Sequence, residues 1–112
     1  MKVTIGFTWT DRANDYIPTM DGYRPGAEQE EVVIELPDAA VQGASARVIA
    51  EAVFVATNAP LEVVETHPLA RVIWYLLPFG RWRALSIGDT VAIEGFSKLE
   101  CARLGWKALL EV

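Results

Sequence analysis

Residues 2–9 alternate without a break: Val3, Ile5, Phe7 and Trp9 fall on one side, and Lys2, Thr4, Gly6 and Thr8 on the other. A period of two built from β-branched and aromatic residues predicts a half-buried strand. A second strand is predicted over 30–36, with Val32, Ile34 and Leu36 on one face and Val33 on the other, ended by Pro37 and Asp38. The two strands are expected to pair antiparallel. Between them, residues 10–29 carry turn chemistry with little periodicity: Thr10 to Asp15, then Pro18, Met20-Asp21-Gly22 and Pro25-Gly26. Such a connection is long for a compact domain. It reads as a functional loop or as one hiding a short helical turn, with Tyr16, Ile17 and Tyr23 available to pin it.

The period then changes. Over 45–58, Val48, Ile49, Ala52, Val53 and Ala56 recur at helical spacing behind Ser45, a competent N-cap, and Asn58 with Pro60 supplies a stop. Over 68–77, Leu69, Val72, Ile73, Leu76 and Leu77 form a second stripe. Pro68 suits a first helical position and Pro78 forbids continuation. Residues 85–112 return to β character: Gly88-Asp89 turns into Thr90-Val91-Ala92-Ile93, Glu94-Gly95 makes a hairpin turn, 97–103 runs back, and 106–110 forms a last short strand after Leu104-Gly105. The predicted fold is therefore α+β in a single domain spanning 1–112, a mixed or antiparallel sheet with two helices in the order β-β-α-α-β-β-β. Its parts are an N-terminal hairpin (1–37), a helical segment (45–77) and a C-terminal meander (85–112). With 112 residues, 52% of them apolar and 22% charged, the chain can build one core, and four Trp, three Tyr and four Phe can supply much of its burial.

Catalytic chemistry has little to work with. Nucleophilic catalysis needs a nucleophile, a base and an orienting group, and the one histidine, His67, directly precedes Pro68, where a local role at the helix start fits better. Cys101, the single cysteine, reads as a small buried hydrophobe. His and Cys together cannot furnish a zinc site, and the glycine patterns of phosphate loops and dinucleotide folds are absent. Carboxylates cluster at Glu28, Glu30 and Glu31, and again at Glu62 and Glu65. At strand and helix edges such groups usually solvate or match a dipole. The expectation is a non-enzymatic protein without cofactor or metal, although a carboxylate-only active site would leave no motif.

Charge is uneven. Residues 1–66 hold eleven acids and four bases, and residues 67–112 hold four acids and six bases, for a total of −5. The total disfavours nucleic acid as a partner, while the second half retains room for a basic face. The alternating N-terminus differs from a secretory signal, and no run approaches the ~18 apolar residues of a membrane span. The expected setting is the cytoplasm, with no membrane partner.

The least ordinary composition lies at Arg71, Trp74, Tyr75, Arg81, Trp82 and Arg83, which with Phe79 and Gly80 combine arginines and large aromatics with no acid between them. Arg and Trp are enriched at the energetic centres of protein interfaces, and they also stack on single-stranded bases. The competing structural reading has Trp74, Phe79 and Trp82 closing the core while the arginines reach outward.

The stretch Arg83-Ala84-Leu85-Ser86-Ile87-Gly88-Asp89-Thr90-Val91-Ala92-Ile93-Glu94-Gly95, closing on Gly105-Trp106-Lys107, is similar to a pattern in small uncharacterised proteins of actinobacterial phages and plasmids, and to YodL-like domains. Ala84 departs from it where serine is usual, and Phe79–Trp82 replaces a shorter polar turn. The pattern has physical content: Ser86 and Asp89 can cap a tight turn, Gly88 can take positive φ, and Leu85, Val91 and Ile93 can enter the core. The resemblance implies a mobile-element protein of the bacterial cytoplasm and carries over no catalytic residue. The leading expectation is an interaction protein that binds a host or self protein through the arginine–aromatic segment. A nucleic-acid-binding module using the second half, and a structural homodimer, are the alternatives.

Overall fold

The computed structural model describes residues 1–9, 28–102 and 105–109. The loop expected over 10–29 therefore lies almost wholly outside the described residues. Among the described residues five strands form one antiparallel sheet: β1 (Lys2–Trp9), β2 (Glu28–Glu35), β3 (Thr90–Ile93), β4 (Leu99–Cys101) and β5 (Trp106–Ala108). Their order is β2-β1-β3-β4-β5. β1 pairs with β2 along its whole length, Lys2 opposite Glu35 and Trp9 opposite Glu28, and with β3 through Val3–Gly6. The chain thus leaves the sheet after β2, builds its helices, and re-enters on the other side of β1.

Four helices lie between: α1 (Asp38–Val41), α2 (Ala46–Asn58), α3 (Leu61–Thr66) and α4 (Pro68–Leu76). The α+β class and the antiparallel sheet agree with the sequence reading, whereas the expected order, with two helices, is corrected by α1 and α3. Both additions are too short to leave an apolar stripe, and each buries one residue, Val41 and Val64 respectively. Each also begins after a proline, Pro37 or Pro60, which in sequence reads as the end of the preceding element. A proline that terminates one element is equally suited to starting the next helix.

The two longer helices begin as their sequences imply. Ser45 Oγ accepts from the Val48 N–H at 3.2 Å, and His67 Nδ1 accepts from the Ala70 N–H at 3.1 Å with Pro68 in the first turn. Ile49, Ala50, Ala52 and Val53 of α2 are completely buried, as are Ala70 and Ile73 of α4, and these two helices make the most extensive helix–helix contact. Alanines there let the backbones approach, and each fully buried Ile or Val contributes about 1.5–3 kcal/mol over its exposed state.

One core joins the helices to one face of the sheet: Val3, Ile5 and Phe7 of β1, Val32 and Ile34 of β2, Val91 and Ile93 of β3, Leu99 and Cys101 of β4, and Trp106 of β5. Val33, between two buried neighbours, is 56% exposed, as alternation requires. The opposite face carries Lys2, Thr4 and Ala92 and, at one end, the buried polar residues Thr8 and Thr90. Gly6 sits between them; a Cβ there would lie 2.5 Å from Thr90 Oγ1 and 2.7 Å from Gln29 Oε1. Among the described residues no helix is long and apolar enough to cross a membrane.

Candidate functional site

The segment from Leu77 to Asp89 joins α4 to β3 without helix or strand, and it contains most of the residues that the composition points to. It is held by a polar network at the end of β1. Asp89, 1% exposed, receives four hydrogen bonds from the described residues. Its Oδ1 accepts from the Thr8 N–H and from Arg83 Nη2, both at 2.8 Å, and its Oδ2 accepts from Arg83 Nη1 at 2.6 Å and from the Ser86 N–H at 2.8 Å. The Arg83 guanidinium also donates to the carbonyls of Ala84 and Thr8, and stands 5.0 Å from the Phe7 ring centroid.

The Ser86–Asp89 turn closes with the Asp89 N–H on Ser86 O at 3.0 Å, and Gly88 at φ +92° takes the third position, where a type II turn needs left-handed backbone. Thr57 and Asn58 at the end of α2 bond the Leu85 N–H and carbonyl at 3.1 Å each. Gly88 and Asp89 pair with Cys101 of β4. Leu85, Val91 and Ile93 are buried. The Leu85–Asp89 stretch therefore fastens the segment to α2, β1 and β4 together. Both carboxylate oxygens of Asp89 are committed to donors inside the protein, so its role is to position the segment.

Arg83 accordingly departs from the surface role its composition suggests. Its side chain is 18% exposed and turned inward onto Asp89. Among the described residues the guanidinium is the cation paired with this buried carboxylate, and the pairing draws the side chain inward. Of the other residues of the sequence-defined set, Arg71, Tyr75 and Arg81 face outward, whereas Trp74 and Trp82 pack partly on the core. Arg71 and Arg81 are exposed and make no ion pair among the described residues. Tyr75 is 65% exposed, with the Arg71 guanidinium 6.0 Å from its ring centroid. Trp74 meets Tyr75 edge to face at 5.3 Å, and both Trp74 and Trp82 are partly buried against the core.

Phe79 overturns the reading in which it closes the core, for its side chain is wholly exposed. The signal lies in the order Pro78-Phe79-Gly80-Arg81. The Arg81 N–H bonds Pro78 O at 3.1 Å and Gly80 has φ +75°, so this too is a tight turn with glycine third, and Phe79 stands at its tip. Leu76, 41% exposed at the end of α4, is a second apolar residue that the composition did not single out.

Beside this turn, Phe7, Glu30, Gly80, Arg81, Trp82 and Arg83 line a cavity of about 260 Å³. A smaller cleft of about 180 Å³ lies among Glu51, Phe54, Cys101, Ala102, Gly105 and Trp106, where the Trp106 indole donates to Glu51 at 3.1 Å. Burial, and then the charges of Asp89, Glu51 and Glu100, push the Cys101 thiol up to about 11, which makes it inert as a nucleophile near neutrality. His67 and Cys101 make no contact that would form a catalytic pair: His67 caps α4, and Cys101 lies in β4. Glu31 is exposed on β2, which is an edge strand among the described residues, where charge disfavours pairing with other chains. Glu62 and Glu65 are exposed on α3. Among the described residues, no group of three or more His, Cys, Asp or Glu could hold a metal ion. Comparison with protein families, curated proteins and solved structures finds no match to this chain.

Proposed function

We propose that this is a non-enzymatic protein-binding module, and that it binds through the exposed residues running from α4 into the Pro78–Arg81 turn: Arg71, Tyr75, Leu76, Phe79 and Arg81. The resemblance of residues 83–95 to proteins of phages and plasmids supports a mobile-element setting with a host or self protein as partner. The observation that carries the reading is Phe79, a wholly exposed ring at the tip of a turn closed by the Arg81 N–H on Pro78 O. Burying such a side chain against a partner contributes about 1.5–3 kcal/mol, and the turn spares much of the ordering cost that a flexible loop incurs on binding. Arg71 and Arg81, which make no ion pair among the described residues, add directional donors of the kind found at interface centres.

The test is affinity capture from bacterial lysate with three baits: the native protein, Phe79→Ala/Arg81→Glu, and a control altered on α3, Glu62→Gln. Arg83 is left intact, because its removal would disturb Asp89 and confuse folding with binding. Proteins retained by the native and control baits and lost with the double variant are the expected result. Retention that is indifferent to Phe79 and Arg81 refutes the assignment of this surface.

A further inference from the structure

We infer that the partner of this surface is a second copy of the chain, joined about a two-fold axis so that Phe79 of each copy sits in the cavity beside Phe79 of the other. This rests on the reading of the surface as protein-binding and names what binds.

Adjacency argues first. A two-fold contact needs one patch that carries both a protrusion and its receptacle, because whatever one copy offers the other is offered back. The Pro78–Arg81 turn supplies both side by side. Phe79 at its tip is wholly exposed. Gly80, Arg81 and Trp82, which follow it directly, line the cavity together with Phe7 and Glu30. Size agrees. At about 260 Å³ the cavity is smaller than the ~300–1,000 Å³ typical of small-molecule sites, and it suits one large side chain. The Phe7 ring and the partly exposed Trp82 give the wall aromatic surface against which a phenyl ring packs. Gly80, with positive φ and open space where a Cβ would be, leaves the approach unobstructed.

Charge argues next. The wall holds both signs, the guanidinium of Arg81 and the carboxylate of Glu30. A foreign partner would have to match that arrangement independently. A second copy matches it by symmetry, for an axis that sets Arg81 against Glu30 of the other copy also sets Glu30 against the other Arg81. Arg81 makes no ion pair among the described residues. Glu30 already has an interaction of its own, but a carboxylate offers about four lone-pair sites and can accept from Arg81 of the other copy as well.

The experiment is sedimentation velocity over a range of concentrations, with circular dichroism to establish that each variant is folded. The native protein is expected to sediment as a dimer. Phe79→Ala should weaken association by at least about a hundredfold, since the symmetry counts the lost ring twice. Arg81→Glu sets carboxylate against carboxylate in both halves of the contact, and Glu30→Arg sets guanidinium against guanidinium. Each alone should therefore be monomeric where the native protein is dimeric. An equimolar mixture of the two should recover the dimer, because both halves then join opposite charges. Should Glu30→Arg fail to fold, the comparison with Phe79→Ala decides by itself. A native protein that stays monomeric at millimolar concentration, a dimer indifferent to Phe79→Ala, or folded charge variants that do not associate when mixed overturns the inference. The two readings fail separately. A monomeric native protein that still captures lysate proteins through Phe79 and Arg81 removes only the second copy as partner. Dimerisation and capture both indifferent to those residues remove the assignment of the surface as well.

Discussion

Replacing Arg83 with methionine should cost far more than the same change two residues earlier. Methionine keeps most of the side-chain length, so the perturbation isolates the guanidinium. Its loss removes two of the four hydrogen bonds described at the Asp89 carboxylate, those from Nη1 at 2.6 Å and Nη2 at 2.8 Å. It leaves an anion 1% exposed, with the backbone N–H groups of Thr8 and Ser86 as remaining donors. Breaking a buried pair by deleting one partner costs about 3–5 kcal/mol, because the survivor's charge stays desolvated. Arg83 is 18% exposed, so water can partly replace it, and the lower half of that range applies, about 3–4 kcal/mol. Domains of this size have stabilities of about 5–15 kcal/mol, so the loss is a large fraction of the total and should lower the thermal midpoint by roughly 13–17 °C. Urea unfolding followed by tryptophan fluorescence measures the difference directly. Arg81→Met, with its exposed guanidinium, should change stability by less than about 0.5 kcal/mol. A double-mutant cycle with Asp89→Asn should return a coupling of about 2–3 kcal/mol. A loss under about 1 kcal/mol for Arg83→Met, or a coupling near zero, would mean that the pair behaves as a surface salt bridge and that something other than Arg83 holds the segment.

Other parts of the fold can be tested in the same way. His67→Ala removes the side-chain cap of α4 and should cost about 1 kcal/mol, with His67→Asn recovering most of it; identical unfolding midpoints for the native protein and His67→Ala would show that the cap contributes nothing. Gly6→Ala places a Cβ against Thr90 and Gln29 and should cost about 1–3 kcal/mol, partly recovered when Thr90 is also made alanine; a neutral Gly6→Ala would mean that the strands separate more easily than the 2.5 Å approach implies. The Cys101 thiol, raised in the folded state from 9.0 to about 11, contributes stability that is fully present below pH 9 and is lost as pH rises through about 11. The native protein should therefore lose more stability than Cys101→Ala between those pH values, and the difference between their unfolding curves measures it; parallel curves would contradict the raised value.

Local structure was legible in the amino-acid order alone. Alternation over 2–9 and 30–36, the Ser45 start and the Pro78 stop, and the Gly88 turn each depend on a few neighbouring residues whose backbone preferences and apolar spacing survive without tertiary context. The same logic fails for α1 and α3, since four and six residues are too few for a period to show. It fails more instructively at residues 79–83. Arg81 and Arg83 are chemically alike and two positions apart, yet one stays in solvent and the other is drawn onto Asp89 and over Phe7. Phe79 and Trp82 are comparable aromatics, yet one is wholly exposed and the other packs on the core. In a segment without helix or strand no period assigns faces. The deciding event is the insertion of β3 beside β1, which brings Asp89 within 2.8 Å of the Thr8 N–H, 81 residues away in the chain. Once that buried carboxylate is in place, electrostatics selects the arginine within reach, and the turn before it presents Phe79 outward. Only the sheet topology could separate the arginine that pairs with Asp89 from the one that stays exposed.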